Sequence, residues 1–200
     1  LSVLGIRPLL WKNGWPVAGE VFKEGTYEIE SERRGYALEL AVDFVRMEYT
    51  RHRFWEKDDT PVVPLKPQTL EDVIGTWPQG KINVRISDYM FRPHQKWTIT
   101  AVPDGGGYLG GPYYKIVIEG TNRALAATAG AEIVTVPEFT GAPEQLWRID
   151  QLTDGTYRIM PKKVPGTDKE LVLVSVGDST PSLGIFDMNS DNSKWNFRDH

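Results

Sequence analysis

The 200-residue chain is 40% apolar and 25% charged, the balance of a soluble globular domain, and its net charge of −4 with scattered basic residues argues against nucleic acid and anionic membrane as partners. No apolar run approaches the roughly 20 residues of a membrane span, and the first residues lack signal-peptide order, so any export signal is expected upstream of Leu1. Cysteine is absent and His52, His94 and His200 stand in no metal-binding spacing, so no disulfide framework, thiolate nucleophile, metal site or cofactor is expected.

Seven Trp, eight Tyr, 19 Gly and 14 Pro point instead to short strands joined by many turns. The chain opens with LGIRPLLWKNGWPVAGE, in which Asn13-Gly14 between apolar runs is a strong hairpin signal. GTYEIES at 25–31 then alternates apolar and polar residues with period two, the sign of a half-buried strand, and is nearly copied by GTYRIMP at 155–161. A Tyr followed two residues later by Ile occurs at Tyr27, Tyr114 and Tyr157. A leucine opening another apolar stretch follows each: Leu38 in ALELAV, Leu125 in ALAAT and Leu171 in ELVLVSV, at steps of 11, 11 and 14 residues. HQKWTI, EQLWRI and NSKWNF close the pattern, with Trp97, Trp147 and Trp195 spaced by 50 and 48 residues. This is an internal threefold repeat, and a Trp at a fixed place in each unit reads as core rather than as a ligand platform.

From Leu to Trp the three units take 59, 22 and 24 residues, so the first carries an insertion, placed at about 42–91. It alone reads as helix, at TLEDVIGTW, where Thr69 precedes Asp72 by three residues and Pro78 to Gly80 should stop the turn. It holds Phe54, Trp55, Trp77, Tyr89 and Phe91 with Arg51 and His52 nearby. Two readings stand, a glycan-binding or docking surface and a lid over one end of the barrel; the lid is preferred, since large aromatic rings normally bury most of their area. WEKDDT (55–60) and MNSDNS (188–193) look like calcium-loop fragments but lack the ligand order of such loops and read as solvated turns.

Three repeats each ending in QxW or a relative of it resemble the ricin-type β-trefoil of carbohydrate-binding module family 13, over residues 25–199. The resemblance implies an all-β fold of four short strands per repeat, with repeat one at 25–99, two at 100–149 and three at 150–199. The motif Gln stands at Gln95 and Gln145 and is replaced by Ser193. In residues 1–24, Arg7, Pro8, Trp11, Asn13, Gly14, Trp15 and Pro16 resemble the closing strand of the propeller in glycoside hydrolase family 43, the arabinanase group. That implies a C-terminal piece of an extracellular or periplasmic enzyme whose catalytic carboxylates lie upstream. The chain alone is then expected to be inactive, with the propeller as its intramolecular partner.

Ricin-type sites use an early acidic acceptor, a stacking aromatic and an Asn before the motif Gln. Carried over, the acceptor place is Glu39, Ala126 and Val172, the aromatic place has Phe139 and Phe186, and the Asn place has His94, Glu144 and Asn192. Repeat three, with Phe186, Asp187 and Asn192, and repeat one, with Glu39 and His94, are the candidate sugar sites; repeat two lacks the acceptor. Two functions follow: a module that binds an arabinan- or galactan-like polysaccharide or oligosaccharide, or a non-binding trefoil that packs on the propeller and shapes its cleft.

Overall fold

The structure is a computed structural model that describes residues 9–12, 15–18, 21–42, 69–108, 111–177 and 180–199. Strands β1 (Leu9–Lys12) and β2 (Trp15–Ala18) pair antiparallel with Lys12 opposite Trp15, on either side of the Asn-Gly signal read from the sequence. The first repeat supplies β3 (Gly25–Ser31), β4 (Ala37–Leu40), helix α1 (Leu70–Gly75), β5 (Ile82–Ser87) and β6 (Trp97–Tyr108). The second supplies β7 (Gly111–Ile118), β8 (Ala124–Ala127), β9 (Ile133–Val136) and β10 (Trp147–Gln151). The third supplies β11 (Tyr157–Pro161), β12 (Val172–Val176), β13 (Thr180–Gly184) and β14 (Trp195–Asp199).

The first and last strands of each repeat close a six-stranded antiparallel barrel: β3 pairs β6, β6 pairs β7, β7 pairs β10, β10 pairs β11, β11 pairs β14 and β14 returns to β3. Closure leaves this ring without an exposed edge. The two middle strands of each repeat form hairpins β4–β5, β8–β9 and β12–β13. The chain is a β-trefoil.

The repeated residues occupy equivalent places. Tyr27 faces Trp97, Tyr114 faces Trp147 and Tyr157 faces Trp195 across the barrel ladders. Each of these tryptophans is fully buried, and each indole Nε1–H donates to a main-chain carbonyl on its repeat's second strand: Leu38 at 2.8 Å, Leu125 at 2.9 Å and Leu173 at 2.9 Å. By area alone one such ring contributes roughly 4–6 kcal/mol. The leucine equivalent to Leu38 and Leu125 is therefore Leu173, not Leu171, and the Leu-to-Trp step is 22 residues in both later repeats.

Phe22, in the segment leading to β3, packs its ring against Tyr27, Tyr114, Tyr157 and Phe197 and plugs the barrel among the three repeat tyrosines. Its N–H donates to the Tyr114 hydroxyl at 2.7 Å. The trefoil thus draws on residues before position 25.

The insertion is shorter than 42–91. INVRIS buries Ile82, Val84 and Ile86 on one face and pairs with both β4 and β9, so β5 is a trefoil strand. The helix forms as read, with Thr69 and Asp72 making a reciprocal capping box. Behind it Trp77 enters the core, and buried Arg123 holds the following turn by donating to the Pro78 and Gly80 carbonyls at 2.8 and 2.7 Å. Trp77 is thereby packed into the core and is not exposed as a sugar platform. Arg51, His52, Phe54, Trp55 and the WEKDDT segment lie outside the described residues.

Candidate functional site

A 3-10 turn precedes each core tryptophan, at Pro93–Gln95, Pro143–Gln145 and Asp191–Ser193. In the first two repeats the motif glutamine fixes the loop that enters this turn. Gln95 Oε1 accepts from the Met90 N–H at 2.8 Å, and Gln145 Oε1 accepts from the Thr140 N–H at 2.7 Å. Ser193 reverses the polarity, donating from Oγ to the Asp187 carbonyl at 3.0 Å.

These contacts fix the alignment of the aromatic place. Tyr89 precedes Gln95 by the same six residues that separate Phe139 from Gln145, so Tyr89 is the first repeat's aromatic and not part of an insertion. Counting back from each glutamine identifies it in the sequence. Burial, with Glu28 and Glu119 nearby, pushes the Tyr89 hydroxyl up to about 12. Its ring meets that of Phe91 at 4.8 Å.

In repeat one, Glu39 on β4 and His94 in the 3-10 turn come together, but as an enclosed cluster. Both are 2% exposed. Glu39 Oε1 accepts from Arg85 Nε at 2.6 Å and Oε2 accepts from Gln95 Nε2 at 2.6 Å. His94 Nε2 lies 3.5 Å from Oε2 without hydrogen-bond geometry and has no hydrogen-bond partner among the described residues. Burial pushes the Glu39 carboxyl up, but contact with His94, Arg85 and Gln95 outweighs it and holds the group below its ordinary value. Chemically this carboxylate braces β4, β5 and the turn, and its acceptors are engaged inside the protein.

In repeat three, Phe186, Asp187 and Asn192 share the loop around the last 3-10 turn. Asp187 is exposed, and its Oδ1 accepts from the Asn189 N–H at 2.9 Å in an Asx turn. Asn192 is half-exposed. The half-buried Phe186 ring covers Met160, Val172 and Val174, and the Arg158 guanidinium lies 5.0 Å from its centre. With Leu173 as the repeat leucine, the acceptor place is Val174 rather than Val172, and this valine underlies the ring. Arg158 is a member of the site that the sequence pattern did not reveal. It is held by Asp150, whose Oδ2 accepts from Arg158 Nη2 at 2.6 Å while Oδ1 accepts from Arg148 Nε at 2.7 Å.

In repeat two, Ala126 is buried at the acceptor place and Lys115 Nζ stands 5.5 Å from the Phe139 ring. No group of three or more His, Asp or Glu residues is gathered for a metal ion among the described residues. No described helix is long and apolar enough to cross a membrane.

A family model described as ricin-type beta-trefoil lectin domain-like matches residues 93–180. No curated protein matches the sequence. Among solved structures, a mosquitocidal holotoxin superposes with a TM-score of 0.59 at 15% identity over 90% of this chain, which spans 18% of the toxin chain. The designed threefold-symmetric protein ThreeFoil superposes with a TM-score of 0.56 at 19% identity, over 88% of this chain and 99% of the design. An exo-β-1,3-galactanase from Clostridium thermocellum gives a TM-score of 0.54 at 15% identity, over 92% of this chain and 32% of the enzyme. At these identities the likeness is one of fold, in agreement with the barrel ring and the three equivalent tryptophans.

Proposed function

We propose that this trefoil is a carbohydrate-binding accessory module of a polysaccharide-degrading glycoside hydrolase, acting on an arabinan- or galactan-like glycan outside the cell or in the periplasm. The observation that carries the reading is the repeat-three loop, which holds a half-buried ring, an exposed carboxylate and a half-exposed amide within seven residues at Phe186, Asp187 and Asn192. A carboxylate and an amide match sugar hydroxyls, and a ring face matches the apolar side of the sugar. The Trp15-Pro16 hairpin and the galactanase likeness support a family 43 propeller as neighbour in the same polypeptide. Catalysis in this reading belongs to that propeller.

Affinity electrophoresis of the full chain in arabinan and galactan gels tests it. An exposed site of this kind binds weakly, on the order of millimolar, because each hydrogen bond replaces one to water. Phe186 also covers three apolar side chains, so truncation to Ala would unsettle the fold. Phe186→Leu keeps the cover and removes the stacking face, and Asn192→Ala removes the amide. Both should abolish retardation with little change in melting temperature; retardation that survives both refutes the repeat-three assignment.

A second reading, a non-binding trefoil that shapes the propeller cleft, is favoured by the enclosed Glu39 cluster and by Val174 at the acceptor place. It predicts no retardation in any glycan gel.

A further inference from the structure

The β6–β7 hairpin carries a bulge and borders a second concave surface. Val102 faces Tyr113 and Gly107 faces Pro112, so residues 103–106 have no opposite number, and the ladder resumes to place Tyr108 opposite Gly111. The bulge leans on the β11–β12 connection, where Lys162 Nζ donates to the Gly105 carbonyl at 2.5 Å. Between the tip of this hairpin and that connection lies a cavity of about 310 Å³ walled in part by Tyr108, Tyr113, Arg148, Lys162, Lys163 and Lys169. Phe186, Asp187, Asn192, Glu39 and His94 all lie outside this wall, although Met160 belongs both to it and to the cluster beneath Phe186.

Arg148 organises the surface. Its guanidinium sits 3.4 Å from the centre of the Tyr108 ring, its Nε is tied to Asp150, and its side chain is 15% exposed. Stacking and the ion pair fix the guanidinium plane, and among the described residues its Nη groups make no hydrogen bond. A fixed guanidinium edge matches a carboxylate in a two-point pairing. Three lysines join Arg148 on the wall against Asp168 and Glu170, a local balance of +2 (four cations less two carboxylates) in a chain of net charge −4. Tyr108 and Tyr113 add the ring surface that suits a pyranose.

We propose that this cavity binds an acidic saccharide, a sugar chain whose units carry carboxylates, with Arg148 pairing the carboxylate and the lysines supplying the surrounding charge. The word saccharide rests on the carbohydrate-binding reading; the anion site rests on the cavity itself. The full chain is titrated calorimetrically with trigalacturonate and with its fully methyl-esterified form, which keeps the sugar rings and removes the charge. Trigalacturonate should bind and the ester should not. Arg148→Gln should weaken binding about tenfold or more. Because Arg148 also holds Asp150, the exposed pair Lys163→Glu/Lys169→Glu serves as the second variant; it should weaken binding several-fold with an unchanged melting temperature. Equal binding of ester and acid, undiminished binding by the lysine double variant, or no heat up to about 10 mM ligand overturns the proposal. Asn192→Ala separates the two sites. If it leaves trigalacturonate binding intact, the cavity stands even where neutral-glycan retardation is never seen; if it abolishes that binding, the acidic sugar sits in the repeat-three loop and the cavity assignment fails.

Discussion

Glu39 illustrates how one residue can keep its place in a repeat and change its work. A short acidic acceptor at the rim of a trefoil hairpin can face a ligand, but glutamate reaches further, and here its oxygens are taken by Arg85 and Gln95. Its folded carboxyl titrates below the ordinary 4.5, so its stabilisation is complete above that value and is lost as pH falls through the lower folded value. Glu39→Gln keeps the shape but weakens two charge-assisted bonds, at a cost of about 2–3 kcal/mol near neutral pH. Urea denaturation of both proteins from pH 7 to pH 3 should show the gap narrowing toward the acid end; a gap independent of pH would mean that the charge of Glu39 contributes nothing. The pairing of Glu39 with His94 was legible from the repeat alignment. Their enclosure was not, because Arg85 lies 46 residues from Glu39 on a strand that the alignment had assigned to an insertion.

Among the elements, the hairpin β6–β7 depends on glycine at one point. A Cβ added to Gly107 would lie 2.4 Å from the Gly111 carbonyl oxygen, closer than any real contact, so Gly107→Ala must push the two strands apart beside Tyr108. We expect a loss of about 1–3 kcal/mol, and displacement of Tyr108 from Arg148 should remove trigalacturonate binding. Thermal melting and the same calorimetric titration check both parts. Most strands could be read from period-two alternation, and INVRIS carried that signal too; the long Leu-to-Trp gap of repeat one obscured it. The slip from Leu173 to Leu171 has a different origin. Both leucines belong to the main core, since residues two apart share a strand face, and ELVLVSV is apolar at nearly every position, so periodicity cannot choose between them. The bulge at 103–106 and the cavity beside the hairpin tip depend on contacts between residues some 40 to 60 positions apart, such as Arg148 with Tyr108 and Lys162 with Gly105, which no local pattern encodes.

At the scale of the whole molecule, Asp150 joins the two candidate sites, with one carboxylate oxygen on Arg148 at the cavity and the other on Arg158 beside Phe186. The threefold frame that carries them is legible in the sequence because the packing of three tryptophans and three tyrosines must repeat wherever the barrel repeats. The pairing of β14 with β3 has a consequence of its own. Tyr27 stands opposite Asp199, so the strand that enters the barrel and the strand that leaves it are neighbours in one ladder. Such a domain is topologically a ring with one nick. Moving the nick should therefore matter little. A circular permutant that joins Asp199 to Val21 through ~6 glycine and serine residues and opens at the exposed turn between Asp154 and Gly155 keeps Phe22 in its plug and every trefoil strand whole. It should unfold cooperatively within about 10 °C of the parent, whereas failure to fold would show that assembly must begin from the natural order of the repeats.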